Sequence, residues 1–370
     1  MTNPGERVSV VDGFRCIAIL AVMFYHYLYR FSPPFLEKNY YPYEYEPSIF
    51  LYGFFGVQLF FTISGFVISQ TLEKTNTFKE FVIKRSIRLW PTLILCSIIT
   101  FLVVELLDQD RQFPFLHSSS IINFLPSWTF IPPALWSALL NRDGIAYVDG
   151  VYWSLFAEVI FYIFGGIIFF CKPKAFLTNW LRITLLMNAI RVVTSPRNQY
   201  LFPDNLNKFF SGIYDFYLEL HFSYWVYFSL GIFFYQLYSK RKLLRSTYIM
   251  MAVLITLELY FLGDSVLIIL FLGIIVLFLI LVYRENWLSF LKLKMIVWIG
   301  LVSYPLYLLH ENIGLILINR IGNLMNNAGA VYLPFLIAII MVILSSVIFR
   351  YYERPLTSFF KSNFVKVNKH

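Results

Sequence analysis

Ten apolar stretches recur along this chain, at 14–31, 50–72, 87–107, 151–170, 181–193, 217–238, 248–262, 266–283, 296–318 and 331–351. The hydrocarbon core of a bilayer is crossed by about 20 helical residues. Each stretch therefore predicts a membrane-spanning helix, and only the fifth is short for the task. Composition agrees, because 59% of the 370 residues are hydrophobic and 14% charged, against about half and about a quarter in a soluble domain. A soluble enzyme, a disordered chain and a collagen-like chain are excluded. Cys16, Cys96 and Cys171 are odd in number, far apart and in or beside apolar runs, so neither a disulfide framework nor a thiolate metal site is expected. The expected fold is an all-α polytopic membrane protein of about ten spans, forming one domain over residues 1–370.

The basic residues set the orientation. Lys74, Lys79, Lys84, Arg85 and Arg88 lie in one alternate connection, Lys172, Lys174 and Arg182 in the next, then Lys240, Arg241, Lys242 and Arg245, then Arg284, Lys292 and Lys294. With Arg7 and Arg15 at one end and Arg350, Arg354, Lys361, Lys366 and Lys369 at the other, 22 of the 30 Lys and Arg residues fall on one side. The positive-inside rule then predicts both termini in the cytoplasm and an even number of spans. These charges recur at helix ends and never gather into an aromatic-interleaved patch, so the net charge of +9 does not point to nucleic acid. No cleavage site follows the first run, which is expected to stay in the mature chain. Two outward connections are long, 32–49 with four tyrosines and 108–150 with Trp128, Trp136, Asp143 and Asp149. Such aromatics suit sugar rings and equally suit an interfacial belt.

Ionisable groups inside apolar runs cost about 3 kcal/mol or more, so each needs a partner or a task. His26 follows Arg15 by eleven residues, which is three helical turns plus about 20°, placing both on one face about 16 Å apart. That pairs an anion-binding group near the cytoplasm with a proton-transfer group deep inside; the alternative for His26 is a packing histidine. Arg85 and Arg88 share a face at the start of the third run, a geometry suited to phosphate oxygens, although cations at a cytoplasmic helix end also satisfy topology alone. Ser154 and Glu158 share a face of the fourth run, where the carboxylate could orient an imidazole, hold an Arg or form a structural pair. In the ninth run Ser303 and His310 share a face, and His310 is read as a packing or acceptor-facing residue beside the helix-kinking Pro305. No group of these residues has metal-ligand spacing.

Taken in order, these segments resemble the membrane-bound acyltransferase family 3 over nearly the whole chain. The resemblance rests on Val11-Asp12-Gly13-Phe14-Arg15 leading to His26, on Gly56-Val57-Gln58-Leu59-Phe60-Phe61-Thr62-Ile63-Ser64-Gly65-Phe66-Val67-Ile68, and on Lys84 to Pro91. It continues with Trp153-Ser154-Leu155 before Glu158, Ser303-Tyr304 before His310, and Glu353-Arg354-Pro355. Gln58 stands where the family commonly has Asp.

The resemblance implies a multi-pass enzyme of the bacterial inner membrane that moves an acyl group, most often acetyl, from cytoplasmic acyl-CoA to a hydroxyl of a carbohydrate or lipid-linked glycan. No permanently bound cofactor or metal is expected; acyl-CoA is a donor substrate. Related proteins centre on the first-helix histidine and the arginine pair, carried here to His26, Arg85 and Arg88. The expected donor site is Arg15, Arg85 and Arg88, the catalytic pair His26 and Glu158, and the acceptor contacts Trp153, Ser154, Tyr304 and His310. Some relatives carry an extracytoplasmic hydrolase-like domain; the expectation here is the membrane domain alone, completing transfer itself or handing the group to another protein. Two rival classes are a proton-coupled transporter or flippase of a glycoconjugate, with His26, Glu158 and His310 as relay, and a structural scaffold. The sequence shows no matching interrupted segments of the kind that build repeat carriers, and a scaffold leaves the aligned Arg15 and His26 without a task.

Overall fold

The computed structural model describes residues 8–44, 49–110, 112–113, 116, 120–239, 242–325 and 327–364. The protein is 82% helical, with no strand among the described residues. In chain order the helices are α1 (Ser9–Leu28), α2 (Gly56–Glu73), α3 (Phe78–Leu107), α4 (Phe124–Thr129), α5 (Pro133–Leu140), α6 (Trp153–Cys171), α7 (Phe176–Thr194) and α8 (Asp204–Glu219). There follow α9 (Trp225–Tyr238), α10 (Arg245–Leu262), α11 (Ser265–Tyr283), α12 (Lys294–Leu301), α13 (Ser303–Gly322), α14 (Asn327–Ala330), α15 (Leu333–Ile348) and α16 (Arg354–Phe364).

Among the described residues seven helical segments are long and apolar enough to cross a membrane, and α12 with α13, bent by 69°, makes an eighth if counted as one span. This is a multi-pass membrane protein. The bend has a local cause: Pro305 has no N–H to donate and its ring crowds the carbonyl four residues back, so the helix stops at Leu301 and restarts at Ser303. The two other predicted runs are helical but fall short as spans. In α7 the run is interrupted by Arg182, Asn188 and Arg191. The run at 217–238 breaks at His221, which takes a left-handed φ of 54°, and this leaves α9 only 14 residues long.

The described chain divides into two compact units. One comprises residues 9–57, 82–156 and 291–370. Its centre is α1, which packs against α12, α13, α15 and the 3₁₀ turn Ile49–Phe55. Val10, Phe14, Ala18, Ile19, Val22, Met23 and Tyr27 are all fully buried, the pattern of a helix that is apolar all round and serves as a core. Gly314 of α13 lets α1 approach, because a side chain there would run into the Tyr27 ring.

The other unit comprises residues 1–8, 58–81 and 157–290. Within it α7 packs against α8, α9 and α10, and α9 against α11. The Phe161 and Phe228 rings stack at 4.0 Å, and the Trp180 indole donates to Ser229 Oγ at 2.9 Å. Arg191 pairs with Glu258 at 2.9 Å, and Tyr227 donates to the same carboxylate at 2.9 Å. A buried charge in this unit is thereby matched by an opposite charge and a hydroxyl, as burial requires.

Candidate active site

The site in the first unit is assembled from the end of α1 and the middle of α13. Two of the last carbonyls of α1, which have no partner within the helix, are taken by the 32–49 connection. Tyr41 donates to the His26 carbonyl and Tyr43 to that of Tyr27, each at 2.5 Å, and their rings stack at 5.3 Å. These two tyrosines, candidates for sugar contact in the sequence, thus fix the backbone that carries His26.

His26 and His310 face each other. Nδ1 of His26 donates to the Val22 carbonyl at 2.8 Å, and Nδ1 of His310 donates to the Tyr307 carbonyl at 2.9 Å. A carbonyl oxygen only accepts, so both neutral rings carry their proton on Nδ1. Nε2 of His310 then receives a second share of the His26 Nδ1 proton across 3.2 Å. The consequence is an unprotonated Nε2 on His26, with the Glu311 carboxylate 3.7 Å away.

Behind Glu311 lies Asp149, fully buried, which accepts from the backbone N–H groups of Val151 and Asn312 at 3.2 Å each. The Asp149 carboxyl lies within electrostatic reach of Glu311. Burial, and next the charge of Glu311, push the Asp149 carboxyl well above the usual carboxylate range. Gly150 keeps the pair accessible, since a Cβ there would sit 3.1 Å from Glu311 Oε2. Val148 and Ala146 are tied to Ser127 and Asn123 through their N–H groups, at 2.9 and 3.2 Å, so the segment bearing Asp149 is held in place.

Glu311 and Asn312 also line a cavity of about 280 Å³ whose walls include Arg30, Phe31, Tyr147 and Gly150. Its size suits one small polar unit.

The other predicted residues lie as follows. Arg15 Nη1 is paired with the buried Asp12 carboxylate at 2.8 Å. Arg85 is buried on α3, and Arg88 lies within electrostatic reach of Glu353. Lys361 of α16 feels the like charges of Arg88, Arg85 and Lys84, so four cations gather around the start of α3. The Tyr304 hydroxyl donates to the Leu89 carbonyl at 2.9 Å. Ser154 Oγ donates to the Val151 carbonyl at 3.0 Å and shares a 2.8 Å bond with the hydroxyl of Tyr307, the residue whose carbonyl accepts from His310. Trp153 opens α6 and is half-buried. In the second unit Glu158 accepts from Ser64 and from Tyr162.

The structure thus brings His26 and His310 together and makes Glu311 the carboxylate beside the imidazole. Asp149 was noted in the sequence only as part of the 108–150 connection, and neither it nor Glu311 was given a role. The signal for Glu311 was present: an ionisable residue next to a histidine inside an apolar run. Among the described residues no group of three or more His, Cys, Asp or Glu side chains could hold a metal ion.

A family model described as an acyltransferase domain matches residues 8–351. A Shigella phage Sf6 protein named O-acetyl transferase is 28% identical over 137 residues, covering 36% of this chain and 41% of that protein. A Bacillus subtilis (strain 168) protein, whose name proposes it as a peptidoglycan O-acetyltransferase, is 24% identical over 205 residues, covering 51% of this chain and 28% of that protein. The chain therefore spans less than half the length of either relative, and neither of the two is named as a transporter or flippase. No solved structure matches.

Proposed function

Because this chain belongs to the acyltransferase family whose domain model takes in residues 8–351, we propose that it is a membrane O-acetyltransferase. It moves an acetyl group from cytoplasmic acetyl-CoA to a hydroxyl of a carbohydrate or lipid-linked glycan, in a bacterial inner membrane. The names of the phage and Bacillus relatives support acetyl as the group, and the Bacillus name, which specifies peptidoglycan, supports a glycan hydroxyl as the acceptor. The observation that carries the chemistry is the unprotonated His26 Nε2 beside Glu311, a carboxylate that itself lines a cavity of about 280 Å³.

Arg85, Arg88 and Lys361 hold the donor's phosphates, the two guanidiniums by forked bonds. Arg15, about 16 Å along α1 from His26, lines the path of the pantetheine arm. His26 Nε2 removes the proton of the acceptor hydroxyl as its oxygen attacks the thioester carbonyl carbon. The carbon–sulfur bond then breaks, and the coenzyme A thiolate recovers the proton from the imidazolium. Glu311 stabilises that imidazolium by opposite charge, and His310 keeps the ring turned so that Nε2 faces the hydroxyl. Ser154, Trp153 and Tyr304 contribute to the acceptor side and its walls.

Purified protein in lipid nanodiscs, given radiolabelled acetyl-CoA and glycan extracted from the host envelope, should yield labelled glycan and free coenzyme A. Binding of acetyl-CoA with no release of coenzyme A and no labelled glycan would overturn the proposal.

A further inference from the structure

Arg30 lies just beyond the end of α1, one turn past His26, and lines the same cavity as Glu311. Among the described residues its guanidinium makes no hydrogen bond and no ion pair; its carbon lies 5.7 Å from the centre of the Phe31 ring. By contrast, Arg15 is matched by Asp12 and Arg191 by Glu258. Glu311, which feels the Arg30 charge, already faces His26 at 3.7 Å. A guanidinium presents five donors in a fixed fork that fits a carboxylate or phosphate bidentately. In a cavity walled largely by Phe31, Leu36, Leu116, Pro133 and Ile145, such a fork attracts an oxyanion more strongly than it would in water.

We infer that Arg30 is the anion subsite of the acceptor pocket, so that the sugar acylated here bears a carboxylate or phosphate within one ring's reach of the reacting hydroxyl. This rests on the acyl-transfer reading for the role of the cavity. Arg30 grips the oxyanion, and the sugar ring lies across the cavity with a hydroxyl turned to Glu311 and His26. One cation balances one anion, so the bound acceptor leaves the buried carboxyl pair undisturbed.

Three radiolabelled probes distinguish the sources of charge: octyl glucuronide carries a carboxylate, octyl glucosyl phosphate carries a phosphate, and octyl glucoside is neutral. Binding is measured by equilibrium dialysis against the full chain in nanodiscs. At least one anionic probe should bind about tenfold or more tighter than the neutral one, as expected for a charge-assisted bidentate pair. Arg30→Gln should abolish the difference while leaving octyl glucoside unchanged, and Arg30→Lys should retain part of it. Which anionic probe gains identifies carboxylate or phosphate. Equal binding of all three probes, or a preference that survives Arg30→Gln, would overturn the inference. Adding acetyl-CoA then tests the reading beneath it: anion preference without acetylation of any probe would leave the subsite standing and remove the acyltransferase assignment.

Discussion

Nε2 of His310 lies 3.2 Å from Nδ1 of His26, a contact between residues 284 positions apart in the chain. The two carbonyls that accept from the Nδ1 atoms fix both tautomers, and the result is a base whose lone pair is aimed by backbone geometry. Removing the base should cost more than removing its neighbour. His26→Ala is expected to bind acetyl-CoA normally and to lose transfer by about 10² to 10⁴-fold, the usual contribution of a general base. His310→Ala leaves the Val22 carbonyl in place and should lose less. Acceptor acetylation by both variants at matched expression checks this, and the reverse order would move the chemistry to α13.

Glu311→Gln keeps the shape of the side chain and removes its charge. The imidazolium formed when His26 takes a proton would lose its counter-charge, while the donor phosphates at Arg85 and Arg88 would not be affected. A lower kcat with an unchanged KM for acetyl-CoA is expected, and steady-state kinetics separate the two. A rise in KM alone would make Glu311 a binding group.

Much of this was legible before the structure. Each of the ten apolar runs falls on helix, because an apolar run of spanning length has few other solutions. The need of a buried charge for a partner singled out His26, Arg85 and Glu158. What the pattern could not supply is which helix faces which. Helical spacing puts Arg15 and His26 on one face but is silent about α13, and so Glu311 beside the imidazole was not assigned a role from sequence. Asp149 was out of reach for a second reason: it sits in a long connection whose path is set by hydrogen bonds to Asn123, Ser127 and Asn312, contacts with no periodicity. The gathering of Lys361 with Arg85 and Arg88 depends likewise on where α16 docks.

That gathering gives a donor-site test. Arg85→Lys and Arg88→Lys preserve charge and lose the forked geometry, so each should raise the KM for acetyl-CoA with little change in kcat. Lys361→Ala should raise it less, as it removes one point charge from a group of four. Titration with acetyl-CoA, followed by coenzyme A release, reads all three. Unchanged KM values in the arginine variants, with normal membrane insertion, would leave these residues as markers of topology only.

Cys171 offers a native reporter of orientation, since it is exposed at the end of α6 while Cys16 and Cys96 are buried. The distribution of basic residues predicts that Cys171 is cytoplasmic and Asp143 external. In intact cells a membrane-impermeant maleimide should leave Cys171 unlabelled and should label Asp143→Cys in a Cys171→Ser background. Labelling of Cys171 together with protection at position 143 would invert the arrangement of the whole chain.

The carboxyl pair beneath the site makes stability depend on pH in a direction opposite to that of an ordinary salt-bridged carboxylate. Burial and Glu311 raise the Asp149 pKa in the folded protein, whereas in the unfolded chain it titrates near about 4. Above that pH the unfolded chain has released its proton and the folded chain still holds it, so the folded state binds more protons and stability falls as pH rises, until the folded pKa is passed. Asp149→Asn fixes a neutral side chain that donates to Glu311 and accepts from one of the two backbone N–H groups. Its thermal midpoint, followed by tryptophan fluorescence in nanodiscs, should change less between pH 5 and 8 than that of the wild type. Asp149→Ala leaves the N–H groups of Val151 and Asn312 without their acceptor and should be less stable at every pH. A wild-type midpoint that rises with pH over this range, or a slope that Asp149→Asn leaves intact, would show that Asp149 does not retain a proton in the folded protein.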